Sequence, residues 1–170
     1  MEITQELVKY LFDYRKDGYL INKNPKTRRC KRGAIAGCLS KRNDGDRWIL
    51  YINGRLYFRY RIIFLYHNGY LPKLIDHKNH ITTDDRIENL RAATDTQNVR
   101  NRTSAKGSSS QYLGVSAIPK SKKNKFFSRV RSNGITIHLG CFDSERDAAL
   151  AYNKKAIELH GEFANLNRIK

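Results

Sequence analysis

Nowhere in its 170 residues does the chain carry an apolar run approaching the ~18 residues of a membrane-spanning helix. The opening MEITQELVKY lacks the apolar core of a secretory signal, so the expected location is intracellular, with no membrane partner. Its three cysteines, Cys30, Cys38 and Cys141, are odd in number, widely spaced and form no CxxC. That spacing argues against a disulfide framework and a structural zinc site, and predicts reduced, packed side chains. Acidic groups are scarce as well: 16 Asp and Glu face 33 Lys and Arg, a formal charge of +17. Solubility requires far less, and a polyanion is the natural partner of such a surface.

The charge is uneven. Residues 76–100 hold five acidic and four basic side chains, while the segments before and after are strongly cationic. A site that holds a cation between flanks that hold phosphates has this pattern. Before it, Thr4 caps an expected first helix with Leu7, Val8, Leu11 and Phe12 on one face. Short strands then follow over 18–21, 34–37 and 47–52, with Asn53-Gly54 as a hairpin turn into Leu56-Tyr57-Phe58. Lys26, Arg28, Arg29, Lys31 and Arg32, five cations in seven residues, suit phosphate contact from a connecting loop. Tyr60 to Asn68 reads as a largely buried helix closed by Gly69.

The chemistry concentrates in Leu74 to Asn101, LIDHKNHITTDDRIENLRAATDTQNVRN. Asp76 is a hard oxygen donor, and His77 beside it is a base titrating near neutrality. On a regular strand these neighbours face opposite ways, so a bulge or irregular turn is expected if they serve one site. Asn89 can fix the imidazole tautomer by accepting the proton of one ring nitrogen. Leu90 to Ala93 reads as a return strand, and Thr94-Asp95-Thr96-Gln97 as a capping box that starts a helix bearing Asn98.

Asp76-His77, then Asn89-Leu90-Arg91, then Thr94 to Asn98, at these spacings, resemble the HNH nucleases, most closely the phage intron-encoded homing endonucleases. The resemblance implies a ββα-metal core with Asp76 and Asn98 as ligands of one magnesium or manganese ion. It further implies His77 as general base, Asn89 as its orienting partner, double-stranded DNA as substrate, and the cytoplasm of a bacterial host as the setting. Two positions depart from the family pattern. Tyr60 stands where related proteins often have His, and Asn79-His80 replaces the usual Asp-Gly turn, with His less suited than Gly to positive φ.

Arg100 to Gln111, with the linker proper at 102–111, reads as a polar, Ser- and Gly-rich stretch whose twelve residues have a reach of about 20 Å. Arg100 and Arg102 at its start are placed to follow the DNA backbone. Beyond it, Tyr112 to Ile118, Lys125 to Arg131 and Ile135 to Leu139 read as three antiparallel strands, with Asn133-Gly134 as a turn. Ser144 caps a helix to about His160. The motifs YLGV, HLGCF, AALAY and HGEFANLN closely resemble the Apetala-two/ERF DNA-binding domains. In that family the exposed sheet face enters the major groove. Carried across, the face is Leu113, Ser116, Ile118, Lys120, Arg129, Arg131, Thr136 and His138. Arg129 and Arg131 would reach base edges, guanine above all, while Lys120, Lys122, Lys123 and Lys125 would contact phosphates.

The expected fold class is therefore α+β: a β-rich support region (1–73), the nuclease motif (74–101), the linker (102–111) and a three-stranded sheet on one helix (112–170). The expected activity is phosphodiester hydrolysis, by a monomer that nicks one strand per visit. The competing reading is a non-catalytic DNA-binding regulator on a nuclease-like scaffold. A binding module has no need of Asp76, His77, Asn89 and Asn98 together.

Overall fold

The structure, a computed structural model, describes residues 3–27, 30–43, 45–95, 97, 108–119 and 125–169. It divides into two compact units, residues 1–94 and 95–170. In the first, helix α1 (Gln5–Leu11) starts at Thr4, whose hydroxyl accepts from the Leu7 amide. The chain extends at Phe12, so this residue opens strand β1 (Phe12–Arg15) rather than completing the helix face. Strand β2 (Tyr19–Asn22) returns antiparallel beside it. Gly18, in the connecting turn, has φ +85°, and a Cβ there would lie 2.6 Å from the Arg86 amide nitrogen. Only glycine fits both the conformation and the space.

Strands β3 (Cys38–Ser40), β4 (Arg47–Ile52) and β5 (Arg55–Phe58) form a second antiparallel sheet in that order. Asn53 and Gly54 take φ of 50° and 75°, the left-handed pair that a two-residue hairpin requires. Residues 34–37 do not form the expected strand. Ile35 makes a single bridge to Ile21, and strand pairing begins only at Cys38, past Gly37 with its φ of 87°. Helix α2 (Arg59–Asn68) follows β5 directly and ends at left-handed Gly69, whose amide bonds to the Leu65 carbonyl. The hairpin strands β6 (Leu74–His77) and β7 (Leu90–Ala93) close the unit.

One apolar core serves α1, β1, β2, β4, β5, α2, β6 and β7, while β3 lies outside it. Val8, Leu20, Ile62 and Ile63 are fully buried, and the cluster runs from α1 to Leu90 on β7. Each such side chain contributes about 1.5–3 kcal/mol of transfer free energy. Residues 1–73 and the β6–β7 hairpin thus share a hydrophobic interior. Cys30, Cys38 and Cys141 are free but exposed, not packed as expected, because each lies in a turn or on an open strand face.

In the second unit, strands β8 (Val115–Ala117), β9 (Phe126–Ser132) and β10 (Ile135–Phe142) pair antiparallel in the order β10-β9-β8. Helix α3 (Glu145–His160) covers one side of this sheet. The Ser144 hydroxyl accepts from the Arg146 and Asp147 amides at its start. Along β9 the period of two is clear: Ser128 and Val130 are buried, Arg129 and Arg131 exposed. Ala148, Ala149 and Ala156 have no exposed surface, and their small size brings the helix close to the strands.

Leu113, expected on the exposed face, instead packs toward Val130, Tyr152 and Ala156. Asn167 holds it there. The Leu113 amide donates to Asn167 Oδ1 at 2.6 Å, and Asn167 Nδ2 donates to the Leu113 carbonyl at 3.0 Å. Replacing Asn167 with Ala removes both bonds and should cost about 2 kcal/mol. Urea unfolding should show a lower midpoint at unchanged slope. An unaltered midpoint would mean that this clamp does not anchor the C-terminal end.

Candidate active site

Antiparallel pairing sets Asp76 opposite Arg91 and His77 opposite Leu90. The register runs unbroken to His77, without the expected bulge inside the strand. The irregularity comes immediately after, where the His80 amide turns back to the His77 carbonyl at 3.1 Å. Asp76 and His77 are both buried, and each has a charged partner. Arg91 reaches Asp76 through Nε at 2.9 Å and Nη2 at 2.7 Å, both to the single oxygen Oδ2.

His77 Nε2 lies 3.0 Å from Oδ1 of Asp85, whose side chain has no exposed surface. The other carboxylate oxygen of Asp85 accepts from Arg59 Nε at 2.8 Å. Arg59 is itself almost fully buried. Its guanidinium carbon sits 4.3 Å from the Trp48 ring centre and 4.4 Å from that of Tyr19. Burial lowers the Arg59 pKa from its ordinary value, and Asp85 opposes that shift. The Tyr60 ring meets the His77 imidazole edge to face at 5.2 Å, and burial raises the Tyr60 phenol pKa. Tyr60 therefore forms an aromatic wall beside the imidazole.

Asn89 does not meet the imidazole. Its Oδ1 accepts from the Asn79 amide, and its Nδ2 donates to Asn79 Oδ1 and to the Asp84 carbonyl, at 3.0, 3.0 and 2.7 Å. The carboxamide closes the 78–88 loop as a cross-brace, and the imidazole partner expected of it is Asp85 instead. The brace continues through Asn79 Nδ2 to Asp84, and through Thr82 Oγ1 to the Asp46 carbonyl in the β3–β4 loop. His80 takes φ +64°, a left-handed conformation costing an L residue about 1–2 kcal/mol. The surrounding bonds impose it.

Asp76 supplies the donor type that magnesium or manganese prefers, a carboxylate, with Arg91 engaging one of its two oxygens. The second expected ligand, Asn98, lies outside the described residues. Among the described residues no group of three or more His, Cys, Asp or Glu side chains comes together to hold a metal. Asp95 and Gln97, flanking the expected helix start, have helical backbone.

Of the expected DNA contacts, Lys26, Lys31, Arg32, Lys125, Arg129, Arg131 and His138 are all exposed. Arg28, Arg29, Arg100, Arg102, Lys120, Lys122 and Lys123 lie outside the described residues. On the open sheet face, His138 pairs with Arg129 and Thr136 with Arg131. Phe127 joins this face, stacked on His138 at 5.9 Å with Arg129 5.5 Å from its ring centre. Sequence reasoning overlooked Phe127, although strand alternation from Arg129 puts it on the same side.

The loop brace has a pH signature. Hydrogen bonds from Arg86, then Asn79, hold the Asp84 pKa at about 2, against an ordinary 3.8. A depressed acid contributes stability that is fully present above the unfolded value and is lost as pH falls through the folded one. Asp84→Asn should therefore be less stable than the parent at pH 7. The difference should shrink between pH 3.8 and about 2 in urea titrations. A gap independent of pH would mean that the carboxylate charge is not what fastens the loop.

Residues 57–100 match the model of the HNH endonuclease family. A relative described as an uncharacterized HNH endonuclease, from Acanthamoeba polyphaga mimivirus, is 35% identical over 123 residues. That is 71% of this chain and 62% of the relative, so the chain spans less than two thirds of the relative's length. No solved structure matches. The matched segment runs from β5 through α2 and the β6–β7 hairpin. Arg59, Asp76, His77, Asp85 and Asn89 all fall within this stretch of similarity to HNH endonucleases, and Tyr19 and Trp48 precede it.

Proposed function

We propose that the chain is a DNA endonuclease that hydrolyses phosphodiester bonds with a single divalent cation, magnesium or manganese, and acts as a nicking homing endonuclease. The observation that carries this reading is the buried Asp76-His77 pair at the end of β6, inside the segment similar to HNH endonucleases. His77 is the general base. It takes a proton from water, whose oxygen forms a new bond to phosphorus. The opposite P–O bond breaks, its electron pair stays with the departing oxygen, and solvent protonates that oxygen. Asp76 and Asn98 are the proposed ligands of the cation, which when bound stabilises charge on the phosphate and the departing oxygen. Asn89 keeps the 78–88 loop in place, and Arg91 orients the Asp76 carboxylate.

The C-terminal unit is proposed to find the site, as an Apetala-two/ERF-type reader. Its open sheet face offers Arg129 and Arg131 to base edges and His138 beside them, with Lys125 and the lysines 120, 122 and 123 on phosphates. Lys26, Arg28, Arg29, Lys31, Arg32, Arg100 and Arg102 are proposed as further contacts to the DNA backbone. One such centre cuts one strand, so a monomer leaves a nick. The setting proposed is intracellular.

The test is supercoiled plasmid carrying a binding site selected by the protein itself. Wild type with magnesium should convert it to nicked circles, chelator should stop this, and His77→Ala should be slower by about 10²–10⁴-fold. Binding without cleavage on that selected site would overturn the enzyme reading in favour of a regulator.

A further inference from the structure

We propose that Asp85 is a positioning residue for His77, held in place by Arg59 between Tyr19 and Trp48, so that strands outside the HNH-like segment set the geometry of the base. This deepens the nuclease reading and rests on His77 being the general base. An ionised carboxylate is an acceptor only. With Arg59 donating to Oδ2 at 2.8 Å, the contact between Asp85 Oδ1 and His77 Nε2 at 3.0 Å requires the proton to sit on Nε2. The lone pair of the neutral ring is then on Nδ1, the nitrogen that takes a proton from water.

The shape of the Arg59 contact separates this role from a plain ion pair. Arginine ordinarily meets a carboxylate with a two-pronged fork. Here Nε alone meets Asp85, while Nη2 turns to the Thr83 carbonyl at 3.4 Å and Nη1 has no hydrogen-bond partner. The guanidinium gives up a bidentate contact and lies against two aromatic rings, and the second carboxylate oxygen remains for the imidazole. From the other side Gly18 presses on the same point, since a Cβ there would sit 2.8 Å from the Asp85 carbonyl carbon. Asp85 is thus held by Arg59 of α2, itself packed on rings from β2 and β4, and its backbone is confined by the β1–β2 turn.

Two double variants of the full chain test this. Arg59→Met with Asp85→Asn removes both charges and keeps a side-chain oxygen to accept from Nε2. Arg59→Met with Asp85→Leu removes the charges and the acceptor. Circular dichroism and thermal unfolding establish that both fold. Nitrogen-15 spectra of the imidazole at pH 8.5, where an ordinary histidine is neutral, should show Nε2–H in wild type and in the Asn variant. The Leu variant should show a mixture of tautomers. On the selected DNA site, kcat should fall about 10–100-fold further in the Leu variant than in the Asn variant, with KM unchanged.

Nδ1–H in the wild type, or equal tautomers and equal kcat in the two variants, would overturn the proposal. The spectra need no DNA. A chain that shows the tautomer contrast but never cuts would support the positioning role and overturn the nuclease reading.

Discussion

The first unit depends on a buried chain of charge and hydrogen bonds, from Arg59 through Asp85 to His77. Moving each charge out of water costs several kcal/mol, and the pair is worth that cost only when well bonded. Removing one partner from such a pair costs about 3–5 kcal/mol, because the other remains buried and uncompensated. Much else in the unit is arranged around this constraint. The rings of Tyr19 and Trp48 face the guanidinium, Gly18 makes room for the Asp85 backbone, and Tyr60 closes the imidazole from the side.

The same arrangement explains why the support region cannot be detached from the hairpin that carries Asp76 and His77. Leu90 of β7 lies in the same core as Val8, Leu20 and Leu50, and the Tyr14 hydroxyl accepts from the Ile87 amide at 3.1 Å. A loop as polar as residues 78–88 has little apolar area of its own. It is ordered by bonds among Asn79, Asp84 and Asn89, and by anchors on both flanks.

Much of this was legible from sequence where local chemistry decides the outcome. Asn53-Gly54 and Asn133-Gly134 both adopt paired left-handed conformations, and Gly69 and Ser144 bound their helices where expected. Asp76 and His77 stood out because of their offsets from Asn89-Leu90-Arg91 and from Thr94 to Asn98, since an Asp-His pair alone carries no signal. What was not legible is non-local. Asp85 is one of two adjacent aspartates, and its partner Arg59 lies 26 positions away. An acidic doublet in so cationic a chain was the available signal. Asn89 was assigned to the imidazole because a carboxamide suits either partner, and only the fold shows that the loop takes it. Leu113 went to the wrong face because its direction is set by Asn167, far along the chain.

The central claim is that His77 supplies the proton acceptor for phosphodiester hydrolysis. Its most direct test is the rate at which a nitrophenyl phosphodiester, which needs no DNA site, is hydrolysed in magnesium or manganese by wild type and by His77→Ala, with and without added imidazole. Wild type should hydrolyse it, the variant should be slow, and free imidazole should restore part of the lost rate. A variant as fast as wild type would contradict that role for His77.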